Sequence, residues 1–232
     1  MPSNSRWYWS RVHLFDGVDE SARELFMRHT VKRVLRKGQH VFRADDQANQ
    51  VFYLAEGMVR IYNITPSGEL TIFWYCVAGE LFGAGGISGA LRQSVNAQSI
   101  SPCVVHAMPR PLFEQMLKLN APLAINSLKL MGARLRLACD TILDMRSQKT
   151  PNRVARALLR IAHNCGLPTD EGIRLDAPIT HQEIGNIVGS CRQTVTEVLK
   201  GFEQRGLILQ RSRQITIVTP DALNAFAGAD DI

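Results

Sequence analysis

Nowhere in the 232 residues does an apolar run approach the ~20 that a membrane-spanning helix requires. Cysteine is sparse and odd in number: five, at positions 76, 103, 139, 165 and 191, with no CxxC pair. That spacing builds neither a disulfide framework nor a cysteine-rich zinc site, and it suits a reducing compartment. An iron–sulfur cluster needs several cysteines close together, and the chain before Cys76 has none. Residues Met1–Ser10 lack the apolar stretch of a secretory signal, so a cytoplasmic chain without membrane contact is expected.

The chain carries a net charge of +6, which points to an anionic partner such as nucleic acid. The charge is unevenly placed. Residues 151–232 hold nine basic and nine acidic side chains, so the whole excess lies in residues 1–150. A nucleic-acid site in the C-terminal third must therefore rest on local geometry.

Between residues 30 and 110, short β-branched and aromatic runs alternate with turn residues. Val41-Phe42, Val51–Leu54, Val59–Tyr62, Leu70–Trp74 and Val104-Val105 are separated by Gly38, Asn49, Gly57, Pro66-Ser67-Gly68 and Gly79. This pattern predicts an all-β sandwich or roll. The period then becomes helical, with a short helix over 109–119 and a long one from about Ala121 to Gln148. In the latter Leu128, Met131, Leu135, Ala138, Ile142 and Met145 are spaced 3, 4, 3, 4, 3, an a/d seam over nearly three heptads. The seam packs either on its own domain or on a second copy in a two-fold dimer. Lys149-Thr150-Pro151-Asn152 breaks the helix and places a hinge there. An amphipathic helix resumes over 152–163, with Val154, Ala157, Leu158 and Ile161 on one face and Gly166 and Pro168 at its end. The organisation is α+β, in three parts: residues 1–120, 121–149 and 150–232.

The most informative stretch runs from Pro178 to Lys200. Thr180 is a good N-cap and Glu183, three residues on, completes a capping box. Ile184, Ile187 and Val188 give a short apolar face, Gly189 a turn, and Val195, Val198, Leu199 and Phe202 the apolar face of a second helix starting near Ser190. Two short helices around a glycine turn make a helix-turn-helix. Arg192, Gln193, Thr196, Glu197 and Lys200 lie off the apolar stripe near the end that enters the major groove, with Thr194 beside them. Arginine suits guanine, glutamine adenine, and glutamate the cytosine amino group. Thr180, His181 and Gln182, at the start of the first helix, are further candidate contacts to double-stranded DNA. Residues 206–209 and 214–218 read as a two-stranded wing with Arg211 and Arg213 near its tip, suited to phosphate. The blander reading is a generic helical hairpin with solvated polar residues.

The stretch Ile179–Leu199 with Glu203–Ile208 strongly resembles the catabolite-activator/FNR (CRP/FNR) family of bacterial transcription regulators. The N-terminal part agrees: Lys37–Phe42, Val51–Gly57, Val59–Tyr62, Pro66–Glu69 and Gly79–Gly83 resemble the family's cyclic-nucleotide-type β-roll, a jelly roll. The resemblance covers about residues 25–220. It implies a homodimer joined along the long helix, an effector pocket in each roll, a winged helix per subunit, a palindromic operator and contact with RNA polymerase. Arg192 matches the family's guanine-reading arginine; Gln193 replaces a common glutamate, and Glu197 stands where the best-known members have arginine.

For the effector the residues leave several readings open. Gly79-Glu80-Leu81, followed by Arg92, Gln93 and Ser94, offers a carboxylate for ribose hydroxyls and a guanidinium for a cyclic phosphate. The loop is longer than in the family's cAMP binders, and Ala138-Cys139 stands where they have two hydroxyl residues. A small molecule other than cAMP is therefore the favoured effector. Phe73, Trp74, Tyr75, Phe82 and Arg92 are candidates for an apolar pocket with one anion-binding group; core packing is the alternative for those rings. Haem would take an axial ligand from His13, His29, His40 or His106 or from a cysteine. Cys191, beside Arg192 at a helix start, is a candidate redox thiol or simply packs in the turn. No catalytic site is expected. A β-roll enzyme of the cupin kind needs clustered His/Glu ligands, and the six histidines are scattered without His-x-His, HExxH, GxSxG or a P-loop. A ligand-binding module without DNA function is the remaining rival.

Overall fold

The computed structural model describes residues 12–147, 149–177, 179–211 and 214–228, in two compact units, one within 12–136 and one within 137–228. The first unit opens with α1 (Glu20–Arg28), followed by β1 (Val31–Leu35), β2 (His40–Phe42), β3 (Gln50–Glu56), β4 (Met58–Ile64), β5 (Leu70–Val77), β6 (Leu81–Phe82), β7 (Asn96–Ser99) and β8 (Cys103–Pro109). Two antiparallel four-stranded sheets result, in the orders β1-β8-β3-β6 and β2-β7-β4-β5. Strand β3 shows why a roll forms. Phe52 and Leu54 point into the core with Phe42, Val59, Ile61, Phe82 and Val105. Val51 and Tyr53, one residue out of phase, join Phe26, Met108 and Phe113 in a second core. Period two thus buries both faces of one strand. The Pro66-Ser67-Gly68 turn joins β4 to β5, with Gly68 at φ +85°.

Helices α2 (Arg110–Leu119) and α3 (Ala121–Ser147) follow as the helical period requires. Leu123 and Leu130 of α3 are buried in the second core. Of the six a/d residues, Leu128 is 72%, Leu135 68% and Ile142 60% exposed, while Met131, at 37%, is largely covered. Among the described residues little packs on those first three side chains.

The second unit begins within α3, at residue 137, upstream of the break at Lys149. Helix α4 (Thr150–Cys165) starts two residues earlier than the pattern suggests, because Pro151 falls in a first turn where its missing N–H costs no bond. The buried face holds Val154, Ala157, Leu158 and Ile161 as read, plus Ala155 and Ala162. Asp144 of α3 is buried and accepts from Arg156 Nη1 at 2.5 Å and from Arg160 Nη2 at 2.8 Å, tying the last turns of α3 to α4.

One correction concerns the wing. Residues 166 and 168 do more than end a helix: β9 (Gly166–Thr169) and β10 (Gly172–Leu175) form a hairpin. After α5 (His181–Val188) and α6 (Arg192–Gln204), β11 (Ile208–Arg211) and β12 (Gln214–Ile217) join it in a four-stranded sheet, β11-β12-β10-β9, in place of the expected two strands. Gly172 permits this, because at φ +130° a Cβ there would stand 2.1 Å from the Ile217 carbonyl oxygen. Helix α7 (Pro220–Gly228) closes the unit.

Candidate nucleic-acid interface

Thr180 and Glu183 form the capping box that fixes the start of α5. The Glu183 N–H donates to Thr180 Oγ1 at 3.2 Å, and the Thr180 N–H donates to Glu183 Oε2 at 2.9 Å. Gly189 ends the helix at φ +64°. Val195, Leu199 and Phe202 of α6 are buried. At about 100° per residue, Arg192, Thr196, Lys200, Gln193 and Glu197 fall in that order within an arc of about 140° on the opposite side. Arg192, Gln193, Glu197 and Lys200 are exposed, and among the described residues no ion pair or side-chain hydrogen bond occupies them. Thr194 and Thr196 are half-buried. The arc is thus a polar surface free to meet a partner.

Of the first-helix candidates, Gln182 is exposed, with its amide donating to Asn186 Oδ1 at 3.0 Å. His181 is half-buried and bonded within the fold, to Thr196 and to Gln210. Arg211 is on the surface in an ion pair with Glu171 of the β9–β10 turn, at 2.7 Å. Such an exposed pair contributes little and exchanges readily for a phosphate. Arg213 lies outside the described residues. Cys191 is exposed at the N-cap of α6, its thiol 3.1 Å from Thr194 Oγ1. That hydrogen bond, with backbone N–H groups behind it, pulls the thiol below the usual range. Glu203 of α6 and Gln210 of β11 tie the wing to α6, a contact that no periodic pattern in the sequence signals.

The candidate effector residues differ in their surroundings. Gly79 shapes the chain: at φ +94° a Cβ there would stand 1.9 Å from His13 Nδ1. Glu80, expected to meet ribose, lies 3.5 Å from Arg134 Nη2 of α3, whose guanidinium also donates to the Leu81 carbonyl and stacks 5.5 Å from the Trp74 ring. Burial raises the Glu80 carboxyl above its ordinary range, with Arg134 opposing. Cys76, 3.6 Å from Arg134, is pushed up to about 12 by burial and is no thiolate. Leu81 and Phe82 are core residues, Phe82 stacked with Phe52 at 5.4 Å. Arg92 is exposed and donates to the Asp45 carbonyl at 2.6 Å, Ser94 is exposed beside it, and Gln93 is buried with its amide 3.5 Å from the Gly83 carbonyl. Of the rings weighed for an apolar pocket, Phe73 is 40% exposed while Tyr75 and Phe82 are buried. Ala138 and Cys139 are exposed on α3.

The histidines weighed for haem engage separate partners. His40 bonds the Tyr62 hydroxyl at 2.8 Å, His106 bonds Thr30 at 2.9 Å and His29 bonds the Leu25 carbonyl at 2.8 Å. Among the described residues no three His, Cys, Asp or Glu side chains are placed to share a metal ion, and no helix is long and apolar enough to cross a membrane.

Residues 32–120 match the cyclic nucleotide-binding domain and residues 152–226 match the Crp-like helix-turn-helix domain. The chain is 25% identical over 197 residues to Electron transport regulator A of Shewanella oneidensis, covering 85% of this chain and 78% of that one. It is 23% identical over 214 residues to the CRP-like cAMP-activated global transcriptional regulator of Mycobacterium tuberculosis, covering 92% and 96%. The solved structure of FixK2 from Bradyrhizobium japonicum superposes with a TM-score of 0.76 at 21% identity, covering 87% of this chain and 98% of that one. With a nucleotide-binding-type roll, a long helix and a Crp-like helix-turn-helix in that order, the chain belongs to the CRP/FNR family of DNA-binding transcription regulators.

Proposed function

We propose that the protein acts as a homodimer that binds a palindromic operator and responds to a small molecule other than cAMP. The carrying observation is the polar arc of α6, on which Arg192, Gln193, Glu197 and Lys200 are exposed and, among the described residues, held by no ion pair or side-chain hydrogen bond. In this reading residues 1–120 sense, 121–149 dimerise and 150–232 bind DNA, with Arg192 on guanine, Gln193 and Glu197 on neighbouring bases, and Thr180, Gln182, Arg211 and Arg213 toward phosphate. RNA polymerase is the further partner.

The exposed row on α3 supports the dimer, since a stripe of this length is costly to leave in water. Leu135→Lys is expected to give a monomer in sedimentation equilibrium, with the roll's circular dichroism intact. An intact dimer would overturn the seam.

The engagement of Glu80 by Arg134 and of Arg92 by Asp45 supports an effector other than cAMP. A cyclic nucleotide would have to displace Arg134 from Glu80 and turn Arg92 inward, and it would find Ala138 and Cys139 where hydroxyls serve the adenine. Titration calorimetry with cAMP is expected to show no saturable heat, and a saturable isotherm would contradict this part of the reading.

A further inference from the structure

His181, the first residue of α5, has both ring nitrogens engaged. Nδ1 lies 2.9 Å from Thr196 Oγ1 on α6, and Nε2 lies 3.1 Å from Gln210 Oε1 on β11. The orientation of Gln210 is fixed from its other side, where the amide N–H donates to Glu203 Oε2 at 3.3 Å and the backbone N–H donates to Oε1 at 2.9 Å. Turning that amide over would set its oxygen against a carboxylate, so the oxygen faces the imidazole. An amide oxygen only accepts, and Nε2 therefore carries a proton.

The Thr196 hydroxyl has a single proton and two inward acceptors for it: the Arg192 carbonyl at 2.8 Å, and His181 Nδ1 when that nitrogen is bare. When Nδ1 is protonated it donates to the threonine oxygen, whose own proton then goes to Arg192. In either protonation state the threonine proton points into the protein, leaving at least one lone pair for the outside. Thr196 lies between Arg192 and Lys200 on the polar arc.

We infer that His181 is a positioning residue that presents the Thr196 hydroxyl to the major groove as an acceptor, so that Thr196 reads a base amino group, adenine N6 or cytosine N4. Through Gln210 and Glu203 the same histidine holds the wing to α6. This replaces the direct DNA contact expected of His181. It rests on the reading of α6 as the recognition helix.

The test measures affinity for operators in which each half-site base pair is varied in turn, using the full chain and His181→Leu, His181→Gln, Thr196→Val and the His181→Leu/Thr196→Val double variant. His181→Leu is expected to lose about fivefold discrimination at one base pair, while affinity for non-specific duplex stays within about twofold. Thr196→Val should lose discrimination at that same base pair, and the double variant should lose no more than Thr196→Val alone. His181→Gln, which offers one donor and one acceptor, should restore the preference. A loss spread evenly over all positions, additive losses in the double variant, or unchanged discrimination would overturn the assignment. Should His181→Leu fail to fold by circular dichroism, Thr196→Val and His181→Gln decide it: full discrimination in the former, or none in the latter, sinks it. Arg192→Ala separates the two layers. If it loses its own base preference while the His181 variants lose none, only this inference fails; if the wild-type chain discriminates at no position, the recognition-helix reading fails with it.

Discussion

Asp144→Ala is expected to lower the stability of the unit within 137–228 by about 3–5 kcal/mol. The carboxylate serves two guanidinium groups, those of Arg156 and Arg160, whose side chains are only 22% and 14% exposed. Removing it takes from both guanidinium groups the buried carboxylate they share, which costs far more than losing an exposed pair. Amide hydrogen exchange resolves the effect by segment: amides of α4 should lose protection by that amount, while those of β3 and β8 keep theirs. A loss below about 1 kcal/mol would show that the cluster is dispensable. The same cluster bears on the hinge expected at residues 149–152. The last turns of α3 already belong with α4, so the break in the helix at Lys149 lies inside a compact unit and not at its border.

Arg192→Ala is expected to cost about 1–3 kcal/mol for each half-site and to abolish base preference at one position. Its guanidinium is exposed at the first residue of α6, where no ion pair or side-chain hydrogen bond among the described residues holds it. Nothing in the fold has to break for it to reach a base, and nothing in the fold should suffer when it is removed. The variant should keep its melting temperature within about 1 °C, since surface changes away from such features are small. Lys200→Ala provides the contrast: a phosphate contact lowers affinity evenly across sequences and reduces the salt dependence by about one ion. Fluorescence anisotropy with labelled operators at two salt concentrations distinguishes the two. Equal losses on all sequences for Arg192→Ala would reassign it to the backbone.

Local rules carried the helix-turn-helix. Thr180, Glu183 and Gly189 each have one conformational preference, and all three are realised at the ends of α5. The seam was equally plain, because 3-4 spacing along α3 depends on nothing but the helix. The β9–β10 hairpin was hidden because Leu167 and Pro168 break one pattern without starting another, and β10 lies between β9 and β12, the latter far along the chain. Short β1, β6 and β7 escaped notice for the same reason: their partners lie far away in the chain. On the effector side, long-range pairing supplies what local sequence does not show. Arg134, fifty-four residues after Glu80, occupies the carboxylate that local sequence left free. The bonds of His181 to Thr196 and Gln210 are likewise not legible in the sequence, because they join three elements that no sequence window holds together.

Selection of bound duplexes from a random pool tests the central claim most directly, that two α6 helices of a symmetric dimer read inverted half-sites. The wild-type chain should enrich two inverted copies of one short sequence, their centres about 10–10.5 base pairs apart or a multiple of that. Arg192→Ala should lose the enrichment at one position in both copies. A pool without enrichment, a lone half-site, or a motif indifferent to Arg192 would contradict it.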